Sequence, residues 1–504
     1  MPSADSVAIR LEPLGQTIAT TRGTALRDLL FSYGVEFPCG GHGKCRKCRV
    51  KLLEGALPET EEERRILSPD EIAEGWRLAC RCFVQDSVTL EIDQWETTIL
   101  ADDTHFSFSP RTGHAVAVDI GTTTLVAQLL DLENGHVLGV RSALNPQTAY
   151  GGDIMSRVQS ALKPDGLSTL SRLIRESVVQ LLHELEVSEK LTEVVLVGNT
   201  VMHHLFCGID PAPLSRVPFR PADDGLKTFR ASELGWELPS DPLVQFLPCL
   251  GGFVGSDILA GIIASGFDHT EDPIALLDLG TNGEIVIGNK ERILCASTAA
   301  GPAFEGGRVA GGMRAATGAI AEAHVEDGKL ACHVLGNVAP RGICGSGLVD
   351  IVAGGLDLGL IQPSGRFADG SKEWPLCGGV KLLQRDIREL QLAKGAVAAG
   401  VRLLLHQLES QFHHVDYIYL AGAFGNYVNR DSARRIGLID FKPEGISPVG
   451  NTALLGAKLV LFRTTPGERD FTELRERVTH VTLADDPAFQ DVYVESMTFP
   501  DGAV

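Results

Sequence analysis

Five cysteines crowd two short stretches near the start of the chain, three in "PCGGHGKCRKC" (38–48) and two in "RLACRC" (77–82). Thiols so concentrated either pair as disulfides in a secreted domain or bind metal and do redox work in a reducing compartment. The opening "MPSADSVAIRLE" has neither the basic start nor the apolar core of a secretory leader, so the second chemistry and a cytoplasmic location are expected. Structural zinc sites use two short cysteine pairs, each closing a knuckle. Here Cys39, Cys45 and Cys48 share one loop, and the fourth thiolate, Cys80 or Cys82, comes after a gap of at least thirty-one residues. That pattern suits an iron–sulfur cluster, in which four thiolates bind two irons. Gly40, Gly41 and Gly43 let the backbone N–H groups approach the sulfurs. The other six cysteines (207, 249, 295, 332, 344 and 377) stand singly among apolar or glycine residues and read as small buried hydrophobes.

A second chemistry is repeated. "HAVAVDIGTTTLVAQLLD" (114–131) is an apolar run, a turn and an alternating run, and "IALLDLGTNGEIVIGN" (274–289) repeats the design 160 residues later. One Asp-x-Gly-Thr is a weak signal, since a tight turn alone explains it. Two copies on matching hairpins are a stronger one. Gly121 and Gly280 let backbone N–H groups face a phosphate, while Thr122, Thr123, Thr124 and Thr281 add hydroxyl donors. Asn282, Gly283 and Glu284 complete the second turn. Asp119 and Asp278, at the strand ends, can hold Mg2+ through its waters. Two facing hairpins of this kind would clamp a triphosphate from both sides. Asp257, in "GGFVGSDILAG", has two readings: with Ser256 it caps a helix, or it orients water near a γ-phosphate. His203 and His204 are adjacent, face different sides of a helix and read as structural.

These residues need elements to hold them. "VAIRLEPLGQTIAT" reads as a hairpin, "TALRDLLFSYGV" as a helix, "CRVKLLEG" and "VTLEID" as strands, and Ser68-Pro69-x-Glu71 as a capping box. A small sheet gripping a helix is an α+β, β-grasp arrangement. Chain length, 504 residues, implies two to four domains, and 44% apolar with 22% charged residues is ordinary for a globular protein. The net charge of −20 argues against nucleic acid or an anionic membrane surface as partner. The most apolar stretch, 243–267, is broken by Pro248, several glycines and Asp257, so no membrane span is expected. Residues 1–95 form the first domain, 96–113 a polar linker, 114–270 and 271–470 two lobes, and 471–504 an extension.

The cysteine spacing, with five residues between the first two, resembles the adrenodoxin-like branch of [2Fe–2S] ferredoxins, and that resemblance puts the fourth ligand after "RLA", at Cys80. "YLAGAFGNYVNR", with Gly422, Gly425 and Asn426, resembles the adenosine-binding motif of the actin-like (ASKHA) ATPases, a two-lobed α/β fold shared with heat-shock chaperones and sugar kinases. Gly345, Ser346 and Gly347 in "ICGSGL" are expected on its cleft floor. The combination, with "DIGTTT", "GNTVMHH", "GGFVGSD", "DLGTNGE", "CASTAAGPAFEG", "ICGSGL" and "AGAFGNY", resembles the reductive activators of corrinoid proteins along nearly the whole chain.

The resemblance implies a [2Fe–2S] cluster, ATP, Mg2+, a low-potential electron donor, a corrinoid-bearing methyltransferase protein as partner, and a homodimer. The task it implies is returning Co(II) to Co(I). For an ordinary ferredoxin near −400 mV this is uphill, and a gap of roughly 200 mV costs about 5 kcal/mol. Differential binding of about 10⁴-fold supplies that much. Longer members carry an extra domain between ferredoxin and ATPase, whereas here only residues 96–113 intervene. The stretch 295–307, around Phe304, is either a surface near the partner's cobalt or a buried turn. A small-molecule kinase with a redox-sensing ferredoxin is the alternative reading.

Overall fold

The computed structural model describes residues 6–12, 15–30, 48–92, 110–280, 282–408, 417–441, 445–463 and 469–502, together with residues 35, 43, 415 and 467. Cys39, Cys45 and Thr281, and the side chain of Asn426, lie outside the described residues.

The first domain runs β1 (Ser6–Glu12), β2 (Gln16–Thr21), β3 (Thr24–Ala25), α1 (Leu26–Leu30), β4 (Arg49–Glu54), α2 (Glu61–Ile66), α3 (Pro69–Ala73), β5 (Trp76–Leu78), β6 (Phe83–Val84) and β7 (Val88–Ile92). β1 and β2 form the expected hairpin, β7 lies parallel to β1, and the sheet order is β2-β1-β7-β4-β5. Strand alternation sends Val7, Ile9, Leu11, Val88, Leu90 and Ile92 into one core with Leu26 and Leu30 of α1. The Ser68/Glu71 capping box forms, and a second one, Thr60/Glu63, starts α2.

The first lobe contains β8 (His114–Ile120), β9 (Thr124–Asp131), β10 (Val137–Leu144), α4 (Ile154–Ala161), α5 (Gly166–Glu184), β11 (Leu191–Gly198), α6 (Thr200–Cys207), β12 (Lys227–Arg230), β13 (Leu243–Phe246) and α7 (Ser256–Ala264). The second contains β14 (Ile274–Leu279), β15 (Gly283–Gly288), β16 (Ile293–Thr298), β17 (Ala319–Glu326), β18 (Lys329–Val334), β19 (Gly342–Ile343) and α8 (Gly345–Asp357). It continues through β20 (Glu373–Pro375), β21 (Lys381–Leu383), α9 (Gln384–Leu408), β22 (Tyr417–Ala421), α10 (Gly422–Tyr427), α11 (Arg430–Arg435), β23 (Ile446–Gly450), α12 (Thr452–Phe462), α13 (Thr472–Arg477), β24 (Val478–His480) and α14 (Phe489–Met497).

The two large sheets repeat one topology. β10-β9-β8-β11-β13 and β16-β15-β14-β22-β23 are each an antiparallel three-strand meander followed by two parallel strands. Their central strands are buried on both faces. Ala115 and Ala117 of β8 join a middle core with α7 and α12, while Val116 and Val118 face an outer core with α4, α5 and α6. β14 divides likewise: Ile274 and Leu276 point to the middle core, and Ala275 and Leu277 to the core of the second lobe. The helices α7 and α12 therefore form a shared layer between the sheets. Residues beyond 470 belong to the second lobe's packing. β24 pairs with β16, and the chain after α14 is held to α9 by Gln391 Nε2 to Met497 O (3.0 Å) and Lys394 Nζ to Thr498 O (2.7 Å).

The ferredoxin-like domain rests on the small sheet β18-β17-β19 of the second lobe. Arg27 of α1 pairs with Glu322 of β17, and Asp28 is hydrogen-bonded to His333 Nε2 of β18 at 2.7 Å. Leu26 and Leu30 share a buried cluster with Ala319, Ala321 and Leu335.

The shared layer depends on a close approach, since a Cβ on Gly456 of α12 would stand 2.0 Å from the carbonyl oxygen of Ala260 in α7. Gly456→Val should force the two helices apart and cost about 1–3 kcal/mol. Thermal unfolding of the variant would show a melting temperature lowered by several degrees if this packing joins the lobes.

Candidate functional site

Two of the four predicted cluster ligands lie in the described region. Cys48 precedes β4 and Cys80 sits in the short turn after β5, where Ala79 N–H donates to Cys48 O at 2.9 Å. Both are buried, and their sulfurs are 3.4 Å apart. Two soft sulfur donors side by side in a small apolar core fit one iron of a thiolate-held cluster. Cys82 points elsewhere. Its thiol lies 3.6 Å from Glu63 Oε1, and burial, then the Glu63 carboxylate, push it well above the ordinary thiol range. A thiol held protonated by a buried carboxylate is a poor metal ligand. Gly43, at φ +64°, backs onto Arg81 and Glu62, which are themselves paired at 2.6 Å.

The nucleotide residues converge where the lobes meet. Asp119 and Asp278 are the penultimate residues of β8 and β14, Glu284 stands opposite Asp278 in β15, and Asp257 is the second residue of α7. Burial raises Asp119 to about 6, against a lowering hydrogen bond from Asn451. Burial, then repulsion from Asp119, raises Asp278 to about 7. Asp257 also rises to about 7, by burial and then by repulsion from Asp119 and Asp278. Glu284 goes well above its usual range through burial and repulsion from Asp257 and Asp278. The four carboxylates thus feel one another across both lobes. Among the described residues no three acidic, cysteine or histidine side chains approach closely enough to hold a metal ion directly. Hard oxygen donors set back in this way fit Mg2+ held through water and phosphate.

The first phosphate turn is braced from behind. The carbonyls of Gly121, Thr122 and Thr123 accept from Asn145 Nδ2 (2.9 Å), the Arg157 guanidinium and Asn145 N (2.9 Å) respectively. Because a peptide plane carries C=O and N–H on opposite sides, the N–H groups of Thr122 and Thr123 turn the other way, as an anion nest requires. Thr122 Oγ1 also accepts from Asn199 Nδ2 at 2.9 Å, which leaves its own proton to donate. Gly121 N closes the turn on Thr124 O at 3.1 Å, and a Cβ on Gly121 would stand 2.5 Å from that oxygen. In the second turn Gly280 N bonds Asn282 O at 3.0 Å. Gly422, at φ +78°, lies against Asp278, and its missing Cβ would be 2.7 Å from Asp278 Oδ1. Gly425 packs on Leu420.

Gly255 holds the cap position of α7, Asp257 Oδ1 accepts from Ile258 N at 2.9 Å in its first turn, and the Ser256 hydroxyl bonds Gly198 N and O at 3.1 and 3.2 Å. Gly345, Ser346 and Gly347, expected on the cleft floor, are buried in packing, with Gly345 against Phe304 O, Gly347 against Ile320 O, and the Ser346 hydroxyl donated to Ala321 O at 3.0 Å. In the stretch 295–307 the buried-turn reading fits, because the Phe304 ring is buried and stacks on Phe424 at 4.4 Å. His203 and His204 are wholly buried, bonded to Gly225 O and Thr200 O at 3.1 and 2.8 Å, and burial lowers His203 to about 4.

Sequence reasoning missed the bracing residues. Asn145, Arg157 and Asn199 hold the first turn, and Asn451, the cap of α12, reaches across the lobes to Asp119 Oδ2 at 2.7 Å. "GNT" at 198–200 and "GNT" at 450–452 were the available signals, since Asn before Thr at a strand end marks a helix cap.

The N-terminal residues 9–85 match the 2Fe-2S iron-sulfur cluster binding domain, 114–270 the RACo middle region, and 272–504 the C-terminal domain of RACo, the ASKHA domain. The corrinoid activation enzyme RamQ of Eubacterium limosum is 34% identical over 78% of this chain and 71% of its own length. The chain belongs to the family of corrinoid reductive activators. The [Co(II) methylated amine-specific corrinoid protein] reductase of Methanosarcina barkeri is 26% identical over 77% of each chain. A solved reductive activator for corrinoid, iron-sulfur protein superposes with a TM-score of 0.69 at 26% identity, covering 98% of both chains. This activator therefore has a two-lobed actin-like fold behind a ferredoxin domain. The RACo middle region matches the residues that form the first lobe. No helix among the described residues is long and apolar enough to cross a membrane.

Cys80→Ser should lose the visible absorbance and iron content of the reconstituted protein, and Cys82→Ser should retain both. A second expectation concerns Asp257. Its folded pKa, about 7, lies above the unfolded value of 3.8, so the native state holds the proton more tightly and stability falls as pH rises through that window. At pH 8 Asp257→Asn should therefore raise the melting temperature of the nucleotide-free protein, by roughly 2–4 °C if about 1 kcal/mol of repulsion is relieved. Calorimetry at pH 8 and pH 5 checks this, because the gain should shrink at the lower pH.

Proposed function

We propose that this protein is an ATP-dependent reductive activator, passing one electron from a [2Fe–2S] cluster to the Co(II) corrinoid of a partner protein and so restoring Co(I) for methyl transfer. The observation that carries the reading is the joining of the thiol pair Cys48/Cys80 and the carboxylate cleft in one chain, with α1 of the ferredoxin domain pinned to the nucleotide-binding half. Cys39, Cys45, Cys48 and Cys80 would hold the cluster, which supplies one-electron chemistry when bound. A low-potential donor refills it.

In the cleft the Thr122 and Thr123 N–H groups and the Thr122 hydroxyl bind phosphate oxygens from one lobe, and the Gly280–Glu284 turn faces them from the other. Asp119, Asp278 and Glu284 hold Mg2+ through its waters, and Gly422, Gly425 and Asn426 receive the adenosine. Asp257, raised to about 7, accepts the proton of the water that attacks the γ-phosphate. Closing the lobes on ATP changes the shape offered to the partner. A 10⁴-fold preference for one cobalt state is enough to offset a potential gap of roughly 200 mV.

To test this, the reconstituted protein is mixed anaerobically with a Co(II) corrinoid protein and a reductant, and the visible spectrum is followed. Co(I) should accumulate only with Mg2+ and ATP, with release of inorganic phosphate. Co(I) appearing at the same rate without ATP would refute the reading, as would ATP's phosphate ending on a small metabolite.

A further inference from the structure

A cavity of about 740 Å³ opens on the helical side of the first lobe, and none of its lining residues belongs to the nucleotide cleft or the cluster loop. Small-molecule sites span roughly 300–1,000 Å³, so the volume is of the right size. Four segments line it: the end of α4, α5 from Gly166 to Val179, the glycine that ends α6, and the turn Leu234–Trp236. Arg175 of α5 is the half-buried charge in this wall. Its Nε donates to Phe206 O at 2.7 Å, and its guanidinium lies over the Phe206 ring, 5.6 Å from the centroid. Among the described residues neither of its Nη groups has an acceptor, and no carboxylate pairs with it. With Nε taken, the guanidinium keeps its Nη1–Nη2 edge, which matches two oxygens of a carboxylate or phosphate.

Gly208 leaves that edge uncovered. Its backbone is at φ +73°, and a Cβ there would stand 3.8 Å from Arg175 Nη2. Gly235, at φ +71°, likewise opens onto space, since its Cβ would meet nothing within 4 Å. The charge of the lining is also selective. Arg172 is paired with Glu176 at 2.8 Å, which leaves Lys163 and Arg175 against Asp165 alone. In a chain of net charge −20 this is a local positive excess, and it favours an anion over a cation. Leu167, Leu234 and the indole of Trp236 give the cavity apolar surface as well.

We propose that this cavity binds a small molecule carrying a carboxylate or phosphate group on an apolar body. The anionic group sits on the Nη edge of Arg175, with the exposed ammonium of Lys163 adding attraction. The body lies against Leu167, Leu234 and Trp236, where it gains by leaving water. Trp236 makes the site its own reporter, because an occupant changes the surroundings of a buried indole. This inference does not depend on the identity of the corrinoid partner or on the chemistry of the nucleotide cleft.

The test titrates the cluster-loaded full chain, by calorimetry and by tryptophan fluorescence, with benzoate, phenyl phosphate and the neutral isostere benzamide. At least one of the two anions should bind, and the tighter of them tells whether the site is built for carboxylate or phosphate. Benzamide should bind at least about tenfold more weakly, since it lacks the charge that strengthens the hydrogen bonds. Arg175→Met should weaken the bound anion by about tenfold or more. Lys163→Gln, at an exposed position, should weaken it several-fold and carries the test if Arg175→Met does not fold. Trp236→Phe should remove the fluorescence response to the anion. Failure of both anions to bind would overturn the proposal. So would benzamide binding as tightly as benzoate, or an affinity that Arg175→Met leaves unchanged.

Discussion

Four carboxylates held at the meeting line of two sheets are the constraint on which this structure turns. Asp119 and Asp278 sit at or beside the ends of paired central strands, Glu284 in the strand beside Asp278, and Asp257 in the first turn of a buried helix. Backbone hydrogen bonds fix each position, so the side chains cannot separate unless the lobes do. Burial and mutual repulsion both disfavour the charged forms, and the two lobes share that penalty. The cation and polyphosphate proposed for this cleft would remove it. Closure would then be conditional on ligand, which is the differential interaction a switch needs. The Asn451–Asp119 bond joins the lobes at the same cleft, beside the packed layer of α7 and α12.

The cleft is connected to the ferredoxin domain by continuous packing. Gly422 touches Asp278, Phe424 two residues on stacks with Phe304, and the Phe304 carbonyl sits where Gly345 would carry a side chain. Gly345 begins α8, whose Gly347 packs on Ile320 of β17, and β17 carries the Glu322 that pairs with Arg27. Most of these contacts are close approaches at glycine or ring against ring, with little room for a shift to be absorbed locally. Gly345 and Gly347 are the reason this path is tight, since their lack of a side chain permits close helix-to-strand contact.

Local patterns were legible in the sequence, and long-range contacts were not. Alternation and apolar runs gave the hairpins β1–β2, β8–β9 and β14–β15, because burial on one or two faces writes itself into residue order. Capping at Ser68 was readable since it involves four consecutive residues. The Asp-x-Gly-Thr turns were readable for the same reason. Asn145, Arg157 and Asn451 were not, because each acts on a turn or carboxylate far away in the chain, 332 residues in the last case. A glycine followed by a small residue is also ambiguous by nature: it permits close approach and does not say of what.

The choice between Cys80 and Cys82 shows how a buried charge can settle a ligand set that spacing leaves open. Glu63 is fully buried, yet it accepts from Thr60 N at 2.8 Å, from Leu78 N at 2.7 Å and from the Cys82 thiol at 3.6 Å. A carboxylate with its lone pairs so occupied is a rigid post, since losing any donor leaves charge unsatisfied in an apolar core. By gripping Leu78 N–H and Cys82 it fixes both ends of the turn in which Cys80 sits, and Ala79 N–H to Cys48 O joins that turn to the loop strand. Cys80 is then the sulfur turned toward Cys48, while Cys82 is consumed as a donor. The fold thus sets the sulfurs of Cys48 and Cys80, the two described ligands of the proposed cluster, 3.4 Å apart.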